Sequence, residues 1–114
     1  MNTGFNIFNN ADVTLGKIVR STGNEENDST AAVSGYIPIF PGINYYHNWD
    51  TVSGAAKVVY FNGQKVPISH TAANSAVAPP QACYARINLL QSQLNSACYK
   101  VYSSANNTKY QPYE

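Results

Sequence analysis

Residues 55–69 read AAKVVYFNGQKVPIS, and this stretch decides the fold. The run KVVYF over residues 57–61 is rich in β-branched and aromatic side chains, which suit a pleated, half-buried surface. It stops at Asn62-Gly63, two residues that accept positive φ and so favour the tight turn of a hairpin. Residues 65–69 then return as the second arm. Lys57, Val59 and Phe61 alternate with Ala56, Val58 and Tyr60, so both faces of this strand are expected to be at least half covered.

Similar runs recur on both sides, separated by turn signals roughly every eight to twelve residues, the spacing of an all-β sandwich or barrel. Strands are expected over residues 5–8, 13–20, 32–40, 43–49, 83–90 and 97–103. Pro38 marks an edge position or bend, and Pro41-Gly42 a turn. Residues 23–30, GNEENDST, hold three acids and no apolar side chain and read as a solvated loop. A small-residue stretch over 71–78 stops at Pro79-Pro80, and helix is limited to a turn or two around residues 91–95. In CYARINLL (83–90), Ala85, Ile87 and Leu89 share a face that reads as core, opposite Tyr84, Arg86 and Asn88. In NYYHNW (44–49), Tyr45, His47 and Trp49 oppose Tyr46 and Asn48.

Composition points the same way. A chain of 114 residues is expected to form one domain, with a core over about 5–103 and a patternless tail over 104–114. Only 11% of residues are charged and the net charge is +1, whereas Asn, Ser, Thr and Gln number 36 of 114. Seven scattered cations make no strong basic patch, so nucleic acid is not an expected partner. No apolar run approaches the ~20 residues of a membrane-spanning helix, and no membrane insertion is expected. High charge and few aromatics mark disordered chains, and this chain is the reverse. The opening MNTGFNIFNN lacks a basic region and a continuous apolar run and does not read as a signal peptide.

These motifs together resemble a small jelly-roll module of bacteriophage tail, baseplate and receptor-binding proteins. Asn6-Ile7-Phe8-Asn9 matches its opening strand, and Ser34, Tyr36, Ile37 and Pro38 its second element. Pro41, Gly42 and Tyr45 match its corner, and residues 60–65 its aromatic strand and turn. Pro80, Ala82, Tyr84, Arg86 and Ile87 match its late strand, so the resemblance covers about residues 5–103. It implies an antiparallel β-sandwich of galactose-binding-like, carbohydrate-binding type. It also implies saccharide recognition at a host surface by a virion particle assembled in a host cytoplasm, or otherwise an extracellular setting. Some modules of this kind are spacers that bind nothing.

The residues themselves argue against catalysis. Glycoside hydrolysis needs two carboxylates across a cleft, and none of the six acids lies within a strongly patterned strand. Cys83, Cys98, His47 and His70 have neither protease nor zinc spacing. No cofactor is expected, with one alternative: a structural calcium at Glu25, Glu26 and Asp28, helped by Asn24 and Asn27. What remains is a binding face. Sugars present hydroxyls and flat C–H patches, which call for aromatic rings beside planar hydrogen-bonding side chains. Tyr46, Asn48 and Trp49 supply both, with Arg86 and Asn88 as further donors. The alternative places Trp49 in the core and Arg86 and Asn88 on a solvated outer face, Arg86 pairing with an acid.

The first expected function is thus a non-catalytic saccharide-binding module. The second is a structural virion module, a spacer, decoration or homo-oligomerising domain contacting neighbouring virion proteins. If residues 84–90 and 98–103 form a hairpin, Cys83 and Cys98 each begin a strand and lie on the order of 20 Å apart. That is beyond the ~7 Å of a disulfide, so both are expected as free thiols.

Overall fold

The computed structural model describes residues 5–104 together with Tyr110, Pro112 and Tyr113; most of the tail expected over 104–114 lies outside these. Among the described residues the strands are β1 (Val13–Val19), β2 (Glu25–Ser34), β3 (Ile37–Pro38), β4 (Asn44–Asn48), β5 (Val58–Phe61), β6 (Pro67–Thr71), β7 (Ser75–Val77), β8 (Tyr84–Leu90) and β9 (Cys98–Val101). One 3-10 turn, Gln91–Gln93, follows β8. The larger sheet has the order β1-β2-β8-β5-β6, with β3 also beside β8, and the smaller one the order β7-β4-β9. Every pairing between these strands is antiparallel. The fold is an all-β antiparallel sandwich.

The period-two pattern places the main core between the sheets. Val58 stands opposite Ile87 and Tyr60 opposite Ala85, and these four pack with Ala32 and Leu89 against Tyr45, Trp49 and Tyr99 of the smaller sheet. Phe8 joins them from the N-terminal segment, which is tied to β9 by a hydrogen bond from Ile7 N–H to the Tyr99 carbonyl (2.8 Å).

The other face of the larger sheet is covered too, and residues 23–30 do the covering. They are not a loop: β2 begins at Glu25 and its first residues pair with Lys17, Ile18 and Val19 of β1. Acidic side chains conceal such a strand from a composition-based reading because the pairing is made by backbone groups alone. The register jumps from Leu15–Ala32 to Lys17–Asn27, with Gly16 at φ 78° between. A glycine adopts that conformation at little cost, and the resulting bulge bends the hairpin. Its distal half folds over the outer face of β8 and β5 as a flap. Val19 there packs with Val33, Val59 and Phe61 in a second apolar cluster.

Two side chains of β8 hold the flap. Asn88 accepts from Val19 N–H (2.7 Å) and donates to the carbonyls of Val19 and Ala56 (both 2.9 Å). Arg86 donates to the Ser34 carbonyl (2.9 Å) and to the Glu25 carboxylate (2.8 Å). Both residues are buried, so the face opposite Ala85, Ile87 and Leu89 is an interior, not a solvated surface.

The cysteine geometry differs from the expected hairpin. β8 and β9 belong to different sheets, because β8 inserts between β2 and β5 while β9 pairs with β4. Nevertheless neither cysteine forms a disulfide, Cys83 being exposed and Cys98 buried.

Asn88→Ala leaves three backbone groups beneath the flap without their partner. The expected destabilisation is about 3 kcal/mol, read as a lowered urea midpoint. Alkylation of the native protein should modify Cys83 alone. Alkylation after denaturation should modify both cysteines, which intact mass resolves.

Candidate functional site

One end of the sandwich gathers the end of β4, the start of β5, the loop before β7 and the turn after β8. The Asp50 carbonyl accepts from Leu90 N–H (2.9 Å) and the Asn74 carbonyl from His47 N–H (2.7 Å), which locks these segments together. Between them lies a shallow, strongly polar cleft of about 210 Å³ lined by Tyr46, Asn48, Asp50, Lys57, Asn74 and Gln93, with His47 and Trp49 also contributing.

The alternation along β4 decides what each residue offers. Tyr46 and Asn48 are half-buried and turn away from the core. Tyr46 meets Tyr102 edge-to-face, with ring centroids 6.4 Å apart. Trp49 is 3% exposed and packs against Tyr99 (5.6 Å) and His47 (5.4 Å). It therefore gives no surface platform; its inward phase on β4 joins it to the core. Arg86 and Asn88 are also displaced from the expected binding face, being 7% and 0% exposed beneath the flap and spent on Glu25 and backbone groups. Of the five expected site residues, the cleft brings together Tyr46, Asn48 and the buried flank of Trp49.

Asp50, Lys57, Asn74 and Gln93 complete the cleft from four separate segments, which no local motif connects. Lys57 donates to Asn74 Oδ1 (2.6 Å). Burial pushes its pKa down, and the charge of Asp50 opposes that shift. Beneath the rim, His47 Nδ1 lies 2.8 Å from the Ala73 carbonyl. A carbonyl only accepts, so Nδ1 carries the proton and Nε2 is left as a bare acceptor. Burial holds the imidazole pKa down at about 4; the Ala73 hydrogen bond opposes this and the Lys57 charge adds to it. Among the described residues, His47 Nε2 and Trp49 Nε1 have no hydrogen-bond partner.

The acidic cluster behaves as part of the flap. Glu25 pairs with Arg86, Glu26 with Arg20, and Asp28 accepts from the N–H (3.0 Å) and hydroxyl (2.8 Å) of Thr30. The Thr30 hydroxyl is the main cause of a lowered Asp28 pKa. Among the described residues, no group of three His, Cys, Asp or Glu side chains is arranged to hold a metal ion, so this geometry lends the calcium reading no support.

Comparison with known proteins gives no match: no family model, no curated protein and no solved structure is similar to this chain.

His47 sets a pH dependence. Its ordinary pKa of 6.5 falls to about 4 in the folded protein, so the unfolded chain takes up the proton first. The stability that neutral His47 confers is fully present above pH 6.5 and is lost as pH falls through that window towards about 4. The expected loss is about 3 kcal/mol. Urea unfolding across the window should show it, and His47→Gln should flatten the slope.

Proposed function

We propose that this chain is a non-catalytic carbohydrate-binding module whose site is the cleft at the end of β4. One observation carries the reading: Tyr46 and Asn48 meet Asp50, Asn74 and Gln93 in a single polar cleft. Neutral amides and one carboxylate satisfy hydroxyls that both donate and accept, and the Tyr46 ring offers a face or edge to sugar C–H groups. The sandwich architecture and the resemblance to phage tail modules support placement in a virion adhesion device that recognises a host-surface saccharide, although a fold alone does not assign a function.

The lining also bears on the kind of sugar. Among the described residues that line it the cation is Lys57, which is held by Asn74 and lies near Asp50, and neither Arg86 nor Lys65 borders the cleft. Lys65 instead sits 4.8 Å from the centroid of the Tyr36 ring. The lining thus suits a neutral saccharide better than an anionic one.

A second reading, a structural or homo-oligomerising virion module, has one observation in its favour. Phe40 and Val77 are 60% and 58% exposed, and Val77 borders an apolar depression with Pro41 and Pro80. Sedimentation decides this rival: a concentration-dependent oligomer favours it, and a monomer disfavours it.

A glycan array followed by calorimetry tests the cleft. Affinity in the millimolar to tens-of-micromolar range is expected, roughly −4 to −6 kcal/mol. Tyr46→Ala and Asn48→Ala should each weaken binding by about tenfold, ~1.4 kcal/mol, without shifting the urea midpoint appreciably. Raising the salt concentration should change affinity less than a few-fold, since neutral contacts are little screened. Absence of binding to any glycan, or full binding by both variants, overturns the proposal.

A further inference from the structure

The loop between β5 and β6, residues 62–66, carries the single Asn-Gly step of a chain in which Asn occurs fourteen times. Four hydrogen bonds shape this loop. The Asn62 N–H donates to the Val66 carbonyl and the Lys65 N–H to the Asn62 carbonyl, both at 2.9 Å. The Asn62 side chain makes the other two, its Oδ1 accepting from the N–H groups of Gln64 (2.9 Å) and Val66 (3.1 Å). Gly63 stands outside this scheme. It is exposed, and among the described residues its N–H has no hydrogen-bond partner. The positive φ of the loop falls on Lys65, at 62°, and not on Gly63. A Cβ at 63 would meet only Cys83 Sγ, at a distance of 3.6 Å. Neither the turn nor the packing around it therefore requires glycine at 63.

These features match what a carboxamide needs to react with the backbone that follows it. The nucleophile is the Gly63 nitrogen, which must lose a proton and reach Asn62 Cγ. It is unbonded and exposed, and glycine has no Cβ to obstruct the approach. As that nitrogen adds, negative charge develops on Asn62 Oδ1. Two backbone N–H groups are already bonded to this oxygen, the arrangement of an oxyanion hole. The departing Nδ2 has no hydrogen-bond partner among the described residues, which leaves it open to protonation. Asn88 is the opposite case, buried with both ends of its carboxamide bound.

We propose that Asn62 is a self-modifying site, at which the folded chain converts its own asparagine to aspartate and isoaspartate. The Gly63 nitrogen bonds to Asn62 Cγ, and the Cγ–Nδ2 bond breaks. Nδ2 leaves as ammonia, carrying the proton that Gly63 lost. One water then opens the cyclic imide. Cleavage of the bond from nitrogen to Cγ gives aspartate, and cleavage of the bond from nitrogen to the main-chain carbonyl gives isoaspartate. Water is the only co-reactant.

The two products act differently on the loop. Aspartate keeps an oxygen for both N–H donors and adds a charge that strengthens those bonds. Isoaspartate lengthens the backbone by a methylene and breaks the Asn62–Val66 closure. Lys65, whose ammonium lies 4.8 and 5.5 Å from the ring centroids of Tyr36 and Tyr84, is then released from them. The loosening also reaches the flap, because Gly23 at its tip packs so closely on Pro67 that an added Cβ would come within 3.3 Å of that ring. One added negative charge takes the net charge from +1 to 0 in either product.

The test is incubation of the full chain at neutral and at raised pH, followed by intact mass and peptide mapping. Exchange of NH2 for OH should accumulate at residue 62 before any other asparagine, with isoaspartate among the products. It should be faster at the higher pH, because the nucleophile is a deprotonated amide. Native protein should react at Asn62 at least as fast as the chain held unfolded in urea. Gly63→Ala should slow the reaction by about tenfold or more, by hindering the backbone nitrogen, without moving the urea midpoint appreciably. A native rate about tenfold or more below the unfolded rate means that the fold protects Asn62 instead of presenting it, and overturns the proposal. Modification mapped first to another asparagine, or Gly63→Ala reacting at the parent rate, overturns it equally.

Discussion

The carboxamide of Asn88 is the constraint around which this molecule is arranged. One buried side chain on the central strand β8 uses three hydrogen bonds to fasten the β1–β2 flap and the approach to β5 onto the same spot. A buried amide with its partners in place is stable, and the same amide without them is costly. The flap therefore has one seating. Glu25 is carried to Arg86, Val19 to Phe61, and the second face of the larger sheet closes. The candidate cleft lies away from that face, at the end of the sandwich where β4 and β8 end and β5 begins.

Much of this was legible in the sequence. The β5–β6 hairpin, the core trio Ala85, Ile87 and Leu89, the turn after Leu90 and the strand ending near Asn48 follow from period-two patterning, but the hairpin's connection is the five-residue loop 62–66, with positive φ at Lys65, and not a tight turn at Asn62-Gly63. The failures have a common cause. Asn88 and Arg86 are polar, so alternation assigns them to solvent, and only the flap makes that face interior. The flap was itself hidden because residues 25–27 pair through their backbone and carry acids that suggest a loop. Local pattern reports what a side chain prefers, and it says nothing of a distant segment that arrives to satisfy it.

The site divides in the same way. Tyr46 and Asn48 reach the candidate cleft because their strand sets a ring and an amide on its outward phase, whereas Trp49 follows the inward phase into the core. Lys57, Asn74 and Gln93 could not be assembled from sequence, since the topology alone brings their three segments beside the end of β4.

The central place of β8 also governs how the chain reaches this state. β8 lies between β2 and β5, and its Asn88 meets Val19, 69 positions earlier in the chain. Local hairpins such as β5–β6 form from neighbouring residues, whereas this contact requires closing a long loop, which is entropically costly and slow. Until β8 arrives, β2 and β5 each present an open sheet edge, and open edges invite pairing with other chains. Val33 and Val59, the residues that β8 brings onto one covered face, are then uncovered as well. The late strand that completes the sheet is thus also what protects the nascent chain from its own copies, and crowding during synthesis acts most strongly on the interval before it docks.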